Sequence, residues 1–295
     1  MPAHQNKAWY DILDFPNMDR LPKPRQSGIT MVIDKGLGMT ETHDLLELAS
    51  DYVDHLKLTF GTSAFYDRRL LTQKIELVKS YGVHIFPGGT FLELALLQGR
   101  LVEFLDRARS LGFTGVEVSD GTINIDEETR IHTIQLARAY GFELVVSEVG
   151  KKDPRDLSPE AELWRQVILD LEAGSDLVIV EGRESGQGVV IYDESGNILE
   201  DELEAIDSHL GEQRDRLLWE APKKSQQLEL IMRFGSNVNL GNVQPQDVLA
   251  LEALRVGVRG DTLRQYYLEM AGVGPVTIKG VQDKLRGGDQ VGSVG

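Results

Sequence analysis

Glu143-Leu144-Val145-Val146-Ser147-Glu148-Val149-Gly150-Lys151-Lys152-Asp153-Pro154 decides how the fold is read. The run starts apolar and β-branched, which favours a buried strand. It ends in a carboxylate, a glycine and two lysines. Parallel-sheet enzymes present their chemistry in this way, at the carboxyl end of a buried strand. One such strand settles nothing alone, but the chain repeats the pattern on both sides of it.

Before it come Ile29–Gly36, ending Asp34-Lys35-Gly36; Val53–Gly61, carrying Lys57; Val83–Gly89; and Gly115–Gly121. After it come Asp176–Gly182, Arg216–Pro222 and Asn237–Asn242. Helical patterns fill the intervals: Thr40–Ser50 with Thr40 as N-cap, Tyr66–Tyr81, Thr90–Gln98 with Leu101–Leu111, and Asp126–Tyr140 with an acidic first turn. Pro159–Ala173, Leu199–Gly211, Ser225–Phe234 and Gln246–Val256 complete them. Eight strand–helix units in about 230 residues are the signature of a (β/α)8 TIM barrel, whose usual size is about 250. A doubly wound open sheet is the alternative. Regular strand spacing and the lack of a G-x-G-x-x-G after the first strand favour the barrel.

The expected plan is an N-terminal arm over residues 1–28, the α/β barrel over 29–258, and a partly disordered C-terminal extension over 259–295. Between the sixth strand and its helix, Arg183–Leu199 reads as an inserted β-hairpin at the catalytic mouth, either a lid or decoration.

The 295 residues carry a formal charge of −16 and no cysteine. Disulfides, thiolate catalysis and cysteine-held metals are therefore excluded. Neither nucleic acid nor an anionic membrane suits so acidic a chain. With no apolar run of spanning length and no leader-like start, a cytoplasmic protein is expected.

On a barrel the strand ends converge. Four consecutive strands end in glutamate, at 117, 148, 181 and 220. Buried carboxylates need cations or a metal. The set facing lysines suggests a hard divalent cation, Mg2+, with Glu117, Glu148, Glu181 and Asp34 as candidate ligands. A salt-bridged network closing the barrel end is the competing explanation. Gly88-Gly89-Thr90 opens directly into a helix, and Gly241-Asn242 follows the last strand. Either turn can cradle a phosphate, or simply turn the chain. Lys35, Lys57 and Lys151 can neutralise an anion, form a Schiff base or move a proton.

The strand ends Ile33-Asp-Lys-Gly36, His55-Leu-Lys-Leu-Thr-Phe-Gly-Thr-Ser63, Phe86-Pro-Gly-Gly-Thr90, Phe113-Thr-Gly-Val-Glu-Val-Ser-Asp-Gly121 and Ser147-Glu-Val-Gly-Lys151 together resemble the phosphosulfolactate synthase family, from about Gly28 to Val256. The resemblance implies a (β/α)8 lyase that adds sulfite to phosphoenolpyruvate with Mg2+, giving (R)-2-phospho-3-sulfolactate. In methanogens that step begins a route to coenzyme M. It implies a homo-oligomer, with a trimer as the candidate state. Lys151 then becomes the candidate proton donor. Lys35, Lys57 and Arg183 hold the anions; Ser119, Gly88, Gly89, Thr90, Gly241 and Asn242 complete the substrate site. Strict alternation puts Glu148 and Lys151 on opposite phases, so Gly150 must turn the chain for both to serve. A Schiff-base aldolase on the same barrel and a non-catalytic, stress-associated relative are the alternative readings.

Overall fold

A computed structural model describes residues 7–17, 19–151, 160–201, 203 and 209–271. Lys152, Asp153, Pro154 and residues 272–295 lie outside the described residues, as does part of the helix expected over Leu199–Gly211.

Eight parallel strands form the sheet: β1 (Thr30–Asp34), β2 (His55–Leu58), β3 (His84–Pro87), β4 (Gly115–Val118), β5 (Leu144–Val149), β6 (Leu177–Val180), β7 (Leu217–Glu220) and β8 (Leu240–Val243). Their order is β3-β2-β1-β8-β7-β6-β5-β4. The two end strands approach each other, and Thr114 stitches the seam just before β4. Its N–H donates to the Ile85 carbonyl at 3.1 Å, and its Oγ1 accepts from the Ile85 N–H at 2.8 Å. The sheet is thus a nearly closed (β/α)8 barrel.

Nearly every strand residue is buried, because each strand faces apolar material on both sides. The pleat sorts the side chains into two clusters. Ile29, Met31, Phe86, Leu144, Val146, Leu177, Ile179 and Leu218 fill the barrel interior. Val32, Leu56, Ile85, Val116, Val145, Val178 and Trp219 point outward, under the helices. A residue's phase in its strand therefore decides whether it can reach the mouth.

Among the described residues, helices with defined bounds are α1 (Met39–Ala49), α2 (Arg68–Ser80), α3 (Gly89–Leu97), α4 (Leu101–Leu111), α5 (Glu127–Ala139), α6 (Glu160–Ala173), α7 (Lys224–Phe234), α8 (Val248–Arg255) and α9 (Gly260–Ala271). Asp67 caps α2 through the Arg69 and Leu70 N–H groups, and Asp126 caps α5 through Thr129. The cap expected at Thr40 is instead Gly38, whose N–H donates to Glu41 Oε2 at 2.8 Å; Thr40 already lies inside the helix.

The arm fastens to the amino-terminal face of the barrel, opposite the mouth. Lys23 Nζ donates to the carbonyls of Ser50, Val53 and Gly82 at 2.7–3.1 Å. Arg25 pairs with Asp54 at 2.8 Å and Arg20 with Glu252 at 3.0 Å. The insertion after β6 carries antiparallel bridges, Val189 to Tyr192 and Tyr192 to Ile198, and packs apolar side chains inward. Val189 and Tyr192 exchange backbone hydrogen bonds, Ile191 and Ile198 are buried, and Tyr192 Oη donates to the Glu220 carbonyl at 2.9 Å. Among the described residues no helix is long and apolar enough to cross a membrane.

Candidate active site at the barrel mouth

Lys57 in β2, Glu117 in β4, Glu148 in β5, Glu181 just past β6 and Glu220 in β7 share the inward phase and meet at the carboxyl ends of the strands. Lys57 is 5% exposed and the glutamates 1–2%, so these charges must satisfy one another. Lys57 Nζ lies 2.9 Å from Glu117 Oε2, 3.2 Å from Glu148 Oε2 and 3.3 Å from Glu220 Oε1.

The second oxygen of each of these glutamates is held by the frame. Glu117 Oε1 accepts from the Gly89 N–H at 2.8 Å, Glu148 Oε1 from Ser119 Oγ at 3.0 Å, and Glu220 Oε2 from the Gly182 N–H at 3.0 Å. Glu181 Oε1 accepts from the Arg183 N–H at 2.6 Å. Burial opposes the Lys57 charge, but the fields of Glu117, Glu148, Glu220 and Glu181 outweigh it. The ammonium is held protonated well above the ordinary lysine range.

One carboxylate oxygen from each of Glu148, Glu181 and Glu220 lies within 4.8 Å of the others. Three buried, hard oxygen donors so placed fit a Mg2+ ion, whose remaining positions water and substrate oxygens can take. Above them opens a cavity of about 380 Å³, lined also by Thr59, Phe60, Gly88, Thr90, Arg183 and Asn242. A slightly larger cavity, about 420 Å³, lies outside the barrel among Tyr66, Phe91, Phe104 and Leu111. It contains none of the buried carboxylate cluster, so the mouth is the candidate site.

Phe60, Arg183 and Asn242 all line the mouth and all have left-handed backbone, at φ 56°, 56° and 54°. Residues with a Cβ rarely adopt this conformation, and such strain gathers at functional sites. Asn242 Nδ2 donates to the Arg183 carbonyl at 3.3 Å, linking two of them.

Several expected residues stand elsewhere. Asp34 has the outward phase. It pairs with Lys74 of α2 and accepts from the Gly36 and Leu37 N–H groups at 2.7 Å, so it closes the β1 turn and cannot join the glutamates. Lys35 is half exposed at the rim and pairs with Glu184 at 2.5 Å. Gly241 lies within β8. A Cβ there would come 2.4 Å from Leu218 Cδ2 and 2.8 Å from Met31 Cε, so the glycine serves packing across the barrel interior and not a phosphate turn. Asn239 lies just before β8, away from the mouth. It ties Ile29, Asp215 and Leu217 at the opposite end.

The Gly88 N–H donates to Leu58 and the Gly89 N–H to Glu117, so these two amides are already engaged. Gly150, at φ 108°, does turn the chain. Lys151 Nζ then reaches the β4–α5 loop, 2.7 Å from the Asp120 carbonyl and 2.8 Å from Asp120 Oδ2. Arg130 braces the same loop, with Nη1 2.8 Å from Asp120 Oδ1 and Nη2 2.8 Å from the Glu148 carbonyl.

The sequence reading omitted Glu220 from the ligand set, although its position matches that of the other strand-end glutamates. Glu93 and Arg130, which reach Ser119 and Asp120 from helices, leave no strand-end signal.

The family described as (2R)-phospho-3-sulfolactate synthase (ComA) matches residues 18–261. The phosphosulfolactate synthase of Methanothermobacter thermautotrophicus is 47% identical over 86% of this chain and 98% of its own length. That of Bacillus subtilis is 36% identical over 82% and 95%. The Arabidopsis thaliana protein HEAT-STRESS-ASSOCIATED 32 is 25% identical over 84% and 93%. Among solved structures, 3-hexulose-6-phosphate synthase from Salmonella typhimurium superposes with a TM-score of 0.50 at 16% identity. It covers 81% of this chain and 99% of its own, a likeness of fold alone. With a family match across the barrel and relatives above one-third identity over most of both chains, the chain belongs to the phosphosulfolactate synthase family.

Proposed function

We propose that this protein joins sulfite to phosphoenolpyruvate, forming (R)-2-phospho-3-sulfolactate. The observation that carries the reading is the buried ring of Glu117, Glu148, Glu181 and Glu220 around Lys57, at the mouth of a barrel matched by this family. The sulfur lone pair of sulfite attacks the methylene carbon of phosphoenolpyruvate. A C–S bond forms, the C=C π pair moves toward the carboxylate, and carbon 2 then takes one proton.

Glu148, Glu181 and Glu220 would hold Mg2+, which when bound supplies positive charge against the negative charge developing on the substrate carboxylate. Lys57 is held charged among its carboxylates. It offsets their repulsion and keeps their oxygens in place. Arg183, Thr90 and Asn242 line the cavity and bind the anionic groups. Lys151, anchored by Asp120, delivers the proton to carbon 2. Lys35, on the rim with Glu184, guides anions inward.

The protein acts as a homo-oligomer. This reading is supported by the exposed apolar side chains of Phe65 (87%) and Leu97 (69%) beside the mouth. The test is formation of phosphosulfolactate from the two substrates, with and without EDTA. Product in Mg2+ that is lost in EDTA is expected, whereas no product with any divalent cation overturns the assignment.

A further inference from the structure

Glu93 is 1% exposed on α3, a helix otherwise built of apolar side chains such as Leu92, Leu94 and Leu96. A carboxylate buried in a helix layer is costly unless strongly hydrogen-bonded. Among the described residues its partners are neutral donors from one loop. Ser119 Oγ lies 2.6 Å from Oε1, and the Thr122 and Ile123 N–H groups lie 2.9 and 2.8 Å from Oε2. The loop links β4 to α5 and also carries Asp120, the anchor of Lys151.

Ser119 Oγ, fully buried, also lies 3.0 Å from Glu148 Oε1 and accepts from the Gly121 N–H at 3.2 Å. A hydroxyl has one proton to donate, so Glu93 and Glu148 share it. Glu148 in turn sends its other oxygen to the cluster, 3.2 Å from Lys57 Nζ. An unbroken line of contacts therefore runs from a helix outside the barrel to a carboxylate of the mouth.

We propose that Glu93 is a positioning residue: through Ser119 it sets the orientation of Glu148 and thereby the affinity of the glutamate cluster for a divalent cation. The inference rests on the proposed function for the identity of the reaction, though not for the cation affinity itself. Outer partners of this kind typically change metal affinity or activity 10–100-fold when altered. Glu93→Gln keeps the shape. Its amide oxygen can still receive the Thr122 and Ile123 N–H groups, while its NH2 turns donor toward Ser119 Oγ. The hydroxyl proton then passes wholly to Glu148, and the balance of pulls that fixes the orientation of its carboxylate is lost. Ser119→Ala removes the relay from the other side.

The test is calorimetric titration of Mn2+ into the wild type, E93Q, S119A and the double variant, with turnover in Mg2+ and thermal melting measured in parallel. The expected result is roughly 10–100-fold weaker Mn2+ binding in each single variant. The double variant should be no worse than the weaker single one, because both act through one contact. A residue that merely holds the loop would lower the melting temperature and leave Mn2+ affinity unchanged, and that outcome overturns the proposal. So do independent, multiplicative losses in the double variant, and so does a wild type that binds no Mn2+. A wild type that binds Mn2+ with the expected pattern but makes no phosphosulfolactate rejects the assigned reaction and leaves the positioning role standing.

Discussion

Lys57→Met removes the ammonium shared by Glu117, Glu148 and Glu220 while keeping an unbranched stem of similar length in the barrel. At an effective dielectric constant of about 20, each contact near 3 Å corresponds to roughly 5 kcal/mol of Coulomb attraction. Most of that offsets the desolvation of buried groups. What is measured on removing one partner of a buried set is about 3–5 kcal/mol, because the carboxylates left behind have lost their countercharge. For a domain of this size that is a fall in Tm of roughly 10 °C.

The folded-state pKa of Lys57 is raised, so its stabilising contribution is fully present below the unfolded value of about 10.4 and is lost only as pH climbs through the raised folded value. The deficit of the variant on the lysine side should therefore not vary between pH 7 and 9. Thermal melts in EDTA read the loss directly, and millimolar Mg2+ should restore part of it by returning positive charge to Glu148, Glu181 and Glu220. A variant within 1 kcal/mol of wild type in EDTA at neutral pH would refute the reasoning, since the glutamates would then need no countercharge.

Asp120→Asn should lower kcat roughly 100-fold, with a smaller effect on the KM for phosphoenolpyruvate, because it removes the carboxylate charge that pairs with Lys151 and leaves the lysine held only by the Asp120 carbonyl, while Arg130 stays on Asp170; steady-state kinetics at saturating Mg2+ check this. His55 is fully buried at the start of β2, and burial pushes its pKa down to about 4. The unfolded chain takes up a proton there first, so stability should fall by about 3 kcal/mol as pH drops from about 6.5 to 4; denaturant titrations should find that part of the slope gone in His55→Leu. Gly89→Ala places a Cβ 2.4 Å from Ser119 Cβ and 2.7 Å from Glu117 Oε1. It should cost about 1–3 kcal/mol in urea unfolding and reduce turnover by displacing Glu117.

The barrel was legible because each strand is a short apolar run that stops at charge, and Glu143–Lys151 shows that ending in full. The inward glutamates were legible for the same reason. Asp34 was misplaced because a strand end gives position but not phase; one residue's shift along β1 turns a mouth carboxylate into the partner of Lys74. Gly241 was misplaced because β8 runs from Leu240 to Val243, so the strand continues past the glycine expected to turn the chain. Glu93 is 26 residues from Ser119, and Arg130 is 40 from Asp170. Contacts made between a helix and a loop, or between two helices, at such separations follow from tertiary packing and have no local pattern to reveal them.

The charge of the mouth carries a constraint of its own. Four glutamates face one lysine inside a chain of net charge −16, yet the substrates proposed for this site are anions. An anion entering such a ring would meet like charge at close range in a poorly screened interior. Lys57 cannot resolve this, since the glutamates already consume its charge. Arg183 stands at the cavity wall, and Lys151 is committed in part to Asp120. The arrangement becomes consistent when positive charge is placed between the glutamates and the substrate, and hard oxygen donors select a divalent cation for that place. On the proposed function the acidic ring would seat the cation, and the cation would make an acidic mouth receptive to phosphoenolpyruvate and sulfite.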